Sequence, residues 1–170
     1  MNIENYIRDI KDFPKEGVIF KDITPLLNNA KARKEVLKRF IENLPYTKID
    51  KVIGVESRGF FFGILLADEL NAGFVPVRKK GKLPYDTLSV SYNLEYGTDS
   101  LEIHTDAIQK GENVLIHDDV LATGGTIKAV TEMVEKLGGN IIQVSFLMEL
   151  EFLNGREKIK DRNVFSLLKY

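Results

Sequence analysis

This sequence predicts an α/β fold, and three observations carry the prediction. Short apolar runs recur at 51–55, 73–77, 113–117 and 141–150, separated by stretches long enough for crossover connections or hairpins. Two of the stretches between and before these runs carry a helical stripe. Val36, Leu37, Phe40, Ile41 and Leu44 mark one face, and Ile127, Val130, Met133, Val134 and Leu137 mark another. The third observation is a junction at which a strand runs into two acids, a glycine loop and the second helix without a break.

Taken in order, the first helical stripe precedes the first strand run. The apolar stretch at 60–67 follows that strand and is far too short to span a bilayer. A basic segment broken by glycine and proline, Arg78-Lys79-Lys80-Gly81-Lys82-Leu83-Pro84, reads as mobile, and the alternating stretch 88–96 after it reads as an extended arm. The second helix stops at Gly138-Gly139, since glycine readily takes the left-handed conformation that ends helices. Residues 151–162 say little beyond a polar excursion. No internal repeat, low-complexity tract or linker divides the chain, so one domain over 1–170 is expected.

Composition narrows the function classes. The chain has 170 residues, 44% of them hydrophobic, which is enough for a core without staples. Charged residues nearly cancel to a formal net charge of −1, and no long basic or acidic block marks a nucleic-acid or membrane footprint. Small-molecule chemistry is the better expectation, with no nucleic-acid and no membrane partner. There are no cysteines, which excludes a disulfide framework, thiolate metal sites and cysteine nucleophiles, and is compatible with a reducing cytosol. The charges among residues 1–11 argue against a leader, so an unexported protein is expected.

The stretch Val114-Leu115-Ile116-His117-Asp118-Asp119-Val120-Leu121-Ala122-Thr123-Gly124-Gly125-Thr126 carries the mechanism. In it an apolar strand delivers two carboxylates to a short loop that opens the amphipathic helix. Gly124 and Gly125 let backbone N–H groups approach a ligand, and a helix N-terminus supplies unpaired donors and positive potential, which suits a 5′-phosphate. Thr123 and Thr126 can add hydroxyls. Two adjacent acids would repel a polyphosphate, but they suit the two hydroxyls of a ribose. Neither the three-glycine dinucleotide spacing nor a Gly-Lys-Ser/Thr ending is present, so hydride transfer and nucleoside-triphosphate readings lose support. The plainer alternative is a strand end whose acids cap a turn before an ordinary strand-to-helix connection.

These residues resemble the signature of the type I phosphoribosyltransferase family. The similarity extends over Asp12-Phe13-Pro14, Gly17-Val18-Ile19-Phe20, Asp22-Ile23-Thr24-Pro25, Glu56-Ser57-Arg58-Gly59-Phe60, 78–84 and Leu94-Glu95-Tyr96-Gly97. Together these are similar to the adenine-using branch of the family. The resemblance implies a twisted, mostly parallel sheet flanked by helices, a small N-terminal hood largely from 1–30 covering the base, and an extended flexible arm at about 79–97. It implies transfer of 5-phosphoribosyl from 5-phosphoribosyl 1-pyrophosphate to adenine, giving AMP and pyrophosphate in purine salvage. A cytoplasmic homodimer is implied as well.

Site residues follow position by position. The resemblance assigns ribose and 5′-phosphate to Asp118, Asp119, Ala122, Thr123, Gly124, Gly125 and Thr126. Pyrophosphate falls to Ser57, Arg58, Arg78, Lys79 and Lys82, with Arg78 reaching across a dimer interface. Arg58 also stands out by itself, because a cation beside Gly59 and an apolar run is awkward to bury without an anionic partner. Val18, Phe20, Lys21 and Val120 are implied to hold the base, Phe20 by stacking. Glu95, taken alone, reads as an exposed strand-end residue, and its catalytic role in managing the base's proton rests on the resemblance. Arg58 is its implied catalytic partner at the leaving side. Mg2+ is expected to ride on the pyrophosphate and ribose hydroxyls without a cage of side chains. His104 and His117 read as surface or packed residues.

Some positions depart from the adenine-using pattern. Lys21 stands where arginine is common, His117 where an aliphatic is common, and Val120 where leucine is common. Ala122 stands where the similar hypoxanthine–guanine enzymes carry a third aspartate. Two rival readings remain: the same fold acting on another purine such as xanthine, and a regulator that keeps the ribose-phosphate motif only for sensing. The regulator reading is disfavoured because no helix-turn-helix pattern and no basic surplus accompany the motif, while Arg58, Lys79, Lys82 and Glu95 are all present.

Overall fold

Strands covered on both faces need near-continuous apolar runs, and this is how the central strands are built. The computed structural model describes residues 1–93 and 98–170. Its chain forms two compact units, Met1–Glu42 and Asn43–Tyr170.

In the first unit, β1 (Arg8–Lys11) pairs antiparallel with β2 (Ile19–Asp22), placing Arg8 opposite Asp22. The Asp22 carboxylate then accepts the Thr24 N–H at 2.9 Å and the Thr24 hydroxyl at 2.5 Å, which starts α1 (Thr24–Asn28). Asn29 accepts the Ala32 N–H at 3.0 Å at the head of α2 (Ala30–Glu42). That helix buries Ala32, Val36 and Phe40, one residue per turn along one stripe. Leu37 and Ile41 flank the stripe half-buried, as expected, whereas Leu44 lies beyond the helix end.

The second unit contains β3 (Lys51–Val55), α3 (Gly59–Glu69), β4 (Gly73–Lys79), β5 (Thr87–Asn93), β6 (Thr98–His104), β7 (Asn113–Leu121), α4 (Gly125–Leu137), β8 (Asn140–Glu149) and β9 (Val164–Lys169). These strands make a seven-stranded sheet in the order β5-β6-β4-β3-β7-β8-β9. β3 runs parallel to β4 and to β7, and β8 and β9 continue the parallel run, while β5 and β6 are antiparallel at the β4 edge. After β3 the chain crosses to β4 on one side and later returns to β7 on the other. That reversal makes a topological switch point at the carboxyl ends of β3 and β7, where open α/β sheets bind ligands.

The core lies between the sheet and α4: Ile53, Val55, Ile116 and Val144 pack with Ile127, Val130, Met133 and Val134. α4 ends as the sequence predicts, with Gly138 left-handed at φ 84. α3 covers the opposite face, where the Phe62 ring meets that of His117 at 6.4 Å. Among the described residues no helix is long and apolar enough to cross a membrane.

The structure corrects the sequence reading in three places. The two acids do not sit on a loop: β7 continues through Asp118 and Asp119 to Leu121, because β8 pairs with it as far as Leu121 opposite Glu149. β1, β6 and β9 went unanticipated, since each is short or polar and is held by a partner strand more than by its own pattern. The 151–162 stretch is built of short 3-10 turns that the sequence had left blank.

Candidate active site

Two strand ends bring the chemistry together. Past β7, Ala122, Thr123 and Gly124 form the tight turn into α4, and Gly124 adopts φ 76, which glycine takes without steric cost. Among the described residues no side chain caps the N-terminus of α4. The first-turn N–H groups, beginning with Gly125 and Thr126, are therefore the donors that an anion would meet there.

Strand alternation turns Asp119 toward the α3 side, as it does His117. There the Asp119 carboxylate pairs with the Arg58 guanidinium at the start of α3. This supplies the anionic partner that the sequence argument required for Arg58. Gly59 lets the two strand ends approach so closely: a side-chain carbon there would sit 2.9 Å from both the Asp118 Oδ1 and the His117 carbonyl oxygen. Asp118 Oδ1 accepts the Asp119 N–H at 2.9 Å.

The electrostatics of the acids follow from burial. Burial raises the Asp118 carboxyl well above its ordinary value, and the neighbouring Asp119 charge adds to the rise. Asp119 is also raised by burial, with the Arg58 cation working against it. Two carboxylates side by side at the end of a strand offer adjacent acceptors, which suits two neighbouring sugar hydroxyls as donors. His117 stays neutral, its value lowered by burial to about 3, and its Nδ1 lies 3.0 Å from the Ser145 hydroxyl. His104 is half-buried and its ring packs edge-on against Tyr85 at 6.0 Å. Of the surface and packed readings that the sequence leaves open, the structure selects packing for both, His117 fully and His104 in part.

At the end of β3, Glu56 gathers the basic segment. Its carboxylate takes Arg78 Nε at 3.3 Å, the Lys79 N–H at 2.9 Å and the Lys82 ammonium, although its side chain is only 9% exposed. Burial pushes this carboxyl up, but the three donors outweigh burial and hold it below its ordinary value. Arg78 also reaches the Lys82 carbonyl at 3.2 Å, and Glu102 accepts the Gly81 N–H at 2.9 Å. The segment that read as a mobile basic loop is thereby tied down by two carboxylates. In the sequence Glu56 is only part of the turn that the resemblance gives to pyrophosphate, and its partners, more than twenty residues away, leave no local signal.

The structure brings Ser57, Arg58, Arg78 and Lys82 to the β3 and β4 ends, with Ser57 exposed in the turn. The Lys79 ammonium instead pairs with Asp99 on β6 at 3.3 Å. Val120 sits half-buried on β7 opposite Met148. Val18, Phe20 and Lys21 belong to the first unit, where the Phe20 ring meets Phe13 at 5.2 Å and Lys21 pairs with Asp9 at 2.8 Å. Glu95 lies outside the described residues. No group of three or more acidic or histidine side chains is gathered as for a metal ion among the described residues. A cavity of about 290 Å³ borders the glycine turn only at Gly125, on a flank lined by Tyr92, Lys128, Glu132 and Lys158 and not by the acid pair.

Comparison with known proteins agrees with this construction. Residues 22–168 match the family described as phosphoribosyl transferase domain. The chain is 70% identical over 170 residues to an adenine phosphoribosyltransferase of Flavobacterium johnsoniae, covering 100% of both chains. It is 61% identical over 170 residues to that of Christiangramia forsetii, covering 100% of this chain and 99% of the relative. Among solved structures, adenine phosphoribosyltransferase from Thermoanaerobacter pseudethanolicus superposes with a TM-score of 0.95 at 53% identity, covering 99% of this chain and 98% of that one. The enzyme of Saccharomyces cerevisiae, solved with an imino-altritol bisphosphate and adenine, gives a TM-score of 0.93 at 43% identity, covering 97% of this chain and 96% of that one. With the acid pair, the glycine turn and the β3 turn placed at one sheet edge, and with matches that run the length of the chain, this protein belongs to the phosphoribosyltransferase family, alongside the adenine phosphoribosyltransferases.

Proposed function

We propose that this chain transfers 5-phosphoribosyl from 5-phosphoribosyl 1-pyrophosphate to adenine, giving AMP and pyrophosphate. The observation that carries the reading is the Asp118–Asp119 pair, Asp119 buried and Asp118 half-buried, set near the end of β7 before a left-handed glycine turn and a helix N-terminus that no described side chain caps. One ligand satisfies both features: a ribose whose hydroxyls donate to the acids and whose 5′-phosphate accepts from the N–H groups of 122–126.

The reaction breaks the bond between the anomeric carbon and the pyrophosphate oxygen, and the electron pair leaves with pyrophosphate. N9 of adenine forms the new bond to that carbon and loses its proton. Positive charge grows on the sugar while negative charge grows on the leaving group. Arg58, Arg78 and Lys82 are suited to the leaving side, joined by Ser57 and, once its ammonium leaves Asp99, by Lys79. Arg58 is in addition paired with Asp119, so it links the ribose acids to the pyrophosphate turn. The resemblance assigns the base to Val18, Phe20, Lys21 and Val120. Glu95 is assigned the proton of N9. Mg2+ would be carried by the substrate and not by a cage of side chains, and would supply charge neutralisation at the leaving group.

The working form in this reading is a cytoplasmic homodimer. α3 supports the dimer: the helix is apolar on nearly all sides, and it leaves Phe61 44% and Ile64 50% exposed. The cysteine-free composition is compatible with a reducing compartment.

The test is pyrophosphate release from 5-phosphoribosyl 1-pyrophosphate with magnesium, with adenine, hypoxanthine, guanine and xanthine supplied separately. Release with adenine alone is expected. Release with an oxopurine instead would overturn the base assignment, and no release with any purine would reduce the site to a sensor.

A further inference from the structure

The turn after β8 touches the phosphate loop directly. A side-chain carbon on Gly155 would collide with the Ala122 carbonyl oxygen and lie 2.9 Å from the Gly124 nitrogen. In return, one on Gly124 would collide with the Gly155 carbonyl oxygen. Two stretches of backbone therefore meet at a distance that only glycine on both sides permits. Gly155 is not among the left-handed glycines, so an alanine there has no backbone penalty of its own. Its exclusion comes from the neighbouring loop alone.

Gly155 is held in place by Ile159, buried in the core at the other end of the same turn, and by the residue directly after it. Arg156 grips Glu149 at the end of β8 with two prongs, Nε to Oε1 at 2.9 Å and Nη2 to Oε2 at 2.5 Å. It also donates to the Val164 carbonyl at 3.1 Å and to the Ser166 hydroxyl at 3.3 Å, both on β9. The Glu149 side chain is only 6% exposed, so this fork is anchored inside the sheet. A short turn with no hydrophobic stripe of its own is thus bolted to two strands, with its first residue pressed under the glycine loop.

We propose that Gly155 and Arg156 are positioning residues for the phosphoribosyl group. Gly155 backs the 122–126 loop, and Arg156, clamped to β8 and β9, keeps that backing rigid so that the loop's N–H groups stay aimed at the 5′-phosphate. Backbone donors bind an anion most strongly when no ordering remains to be done on binding, and a glycine loop without support would have to order itself each time. The inference rests on the reading of that loop as the 5′-phosphate seat.

The experiment compares wild type with Gly155→Ala, Arg156→Lys and Arg156→Met by calorimetric titration of ribose 5-phosphate and, separately, of magnesium pyrophosphate. Steady-state kinetics and thermal melting accompany the titrations. Displacing the loop by a fraction of an ångström should weaken ribose 5-phosphate binding about ten-fold in Gly155→Ala and raise the KM for 5-phosphoribosyl 1-pyrophosphate by a similar factor. Because the phosphate is held alike in ground and transition states, kcat and pyrophosphate affinity should stay within about two-fold. Arg156→Met should follow the same pattern, and Arg156→Lys, which keeps the charge but not the fork, should fall between Arg156→Met and wild type. If Gly155→Ala does not fold, the two Arg156 variants decide the question on the same readouts. Unchanged ribose 5-phosphate affinity in the folded variants overturns the proposal, and so does a parallel loss of both ligands with a lower melting temperature. A wild-type protein that binds pyrophosphate but no ribose 5-phosphate overturns the reading of the loop itself, and the brace with it.

Discussion

Asp118 shows how a single side chain sets function against stability. Its carboxyl is raised by burial and by the charge of Asp119, so the folded protein binds its proton more tightly than the unfolded chain does. The sign follows: this group's contribution is fully present below the unfolded value near 3.8 and is lost as pH rises through the folded value. Glu149 has the opposite sign, since the Arg156 hydrogen bond holds it below its ordinary value against the effect of burial, and its contribution is lost as pH falls. Asp118→Asn removes the first cost and leaves the second term intact. We expect the variant to be more stable than wild type at pH 7, seen as a higher melting temperature, with the gain shrinking toward pH 4. Its kcat/KM should fall at least about a hundred-fold, because a ribose acceptor is gone. Melting curves across pH and steady-state rates check both parts, and a variant with full activity would remove the ribose assignment.

At the scale of elements, each half of the site is a junction between strand and helix, steadied by a segment from elsewhere in the chain. The β7–α4 junction rests on the turn at Gly155. The β3–α3 junction leads into Glu56, which ties down the basic turn after β4. Glu56 holds Arg78 and Lys82, two of the cations assigned to pyrophosphate, so carboxylate and leaving group compete for the same partners. Glu56→Gln keeps an acceptor for the Lys79 N–H while removing the counter-charge. The expected result is several-fold tighter inhibition by pyrophosphate, with a loss of only about 1 kcal/mol in stability, since both cations are partly exposed. Product-inhibition kinetics and chemical denaturation measure the two effects. Weaker pyrophosphate inhibition would mean that Glu56 matters mainly for holding the turn together.

For the whole molecule, the strand order places everything that the motif needs at one edge. β3 and β7 are neighbours although some sixty residues separate them, and their carboxyl ends meet where the crossover changes direction. Association with a second copy belongs to this scale as well. If the exposed face of α3 forms the dimer contact, Phe61→Glu combined with Ile64→Glu should halve the mass measured by light scattering at micromolar concentration while leaving the melting transition cooperative. An unchanged mass would move the interface elsewhere.

By itself the sequence determined whatever local chemistry dictates. The stripes on α2 and α4, the stop at Gly138, the apolar strand runs and the acid–glycine junction at 118–126 are all set within a few residues by side-chain period, glycine conformation and charge. Only the tertiary structure decided the pairings: Arg58 with Asp119, Glu56 with Arg78 and Lys82, Glu102 with Gly81, and Gly155 against the Ala122–Gly124 turn. It also decided that the acids end a strand and do not open a loop, and that weakly patterned stretches such as 98–104 and 164–169 become strands. The physical reason is range. Periodicity and capping act over one or two turns, whereas an ion pair or a backbone contact between residues 21 to 61 apart in the chain comes into being only when the sheet has brought them together.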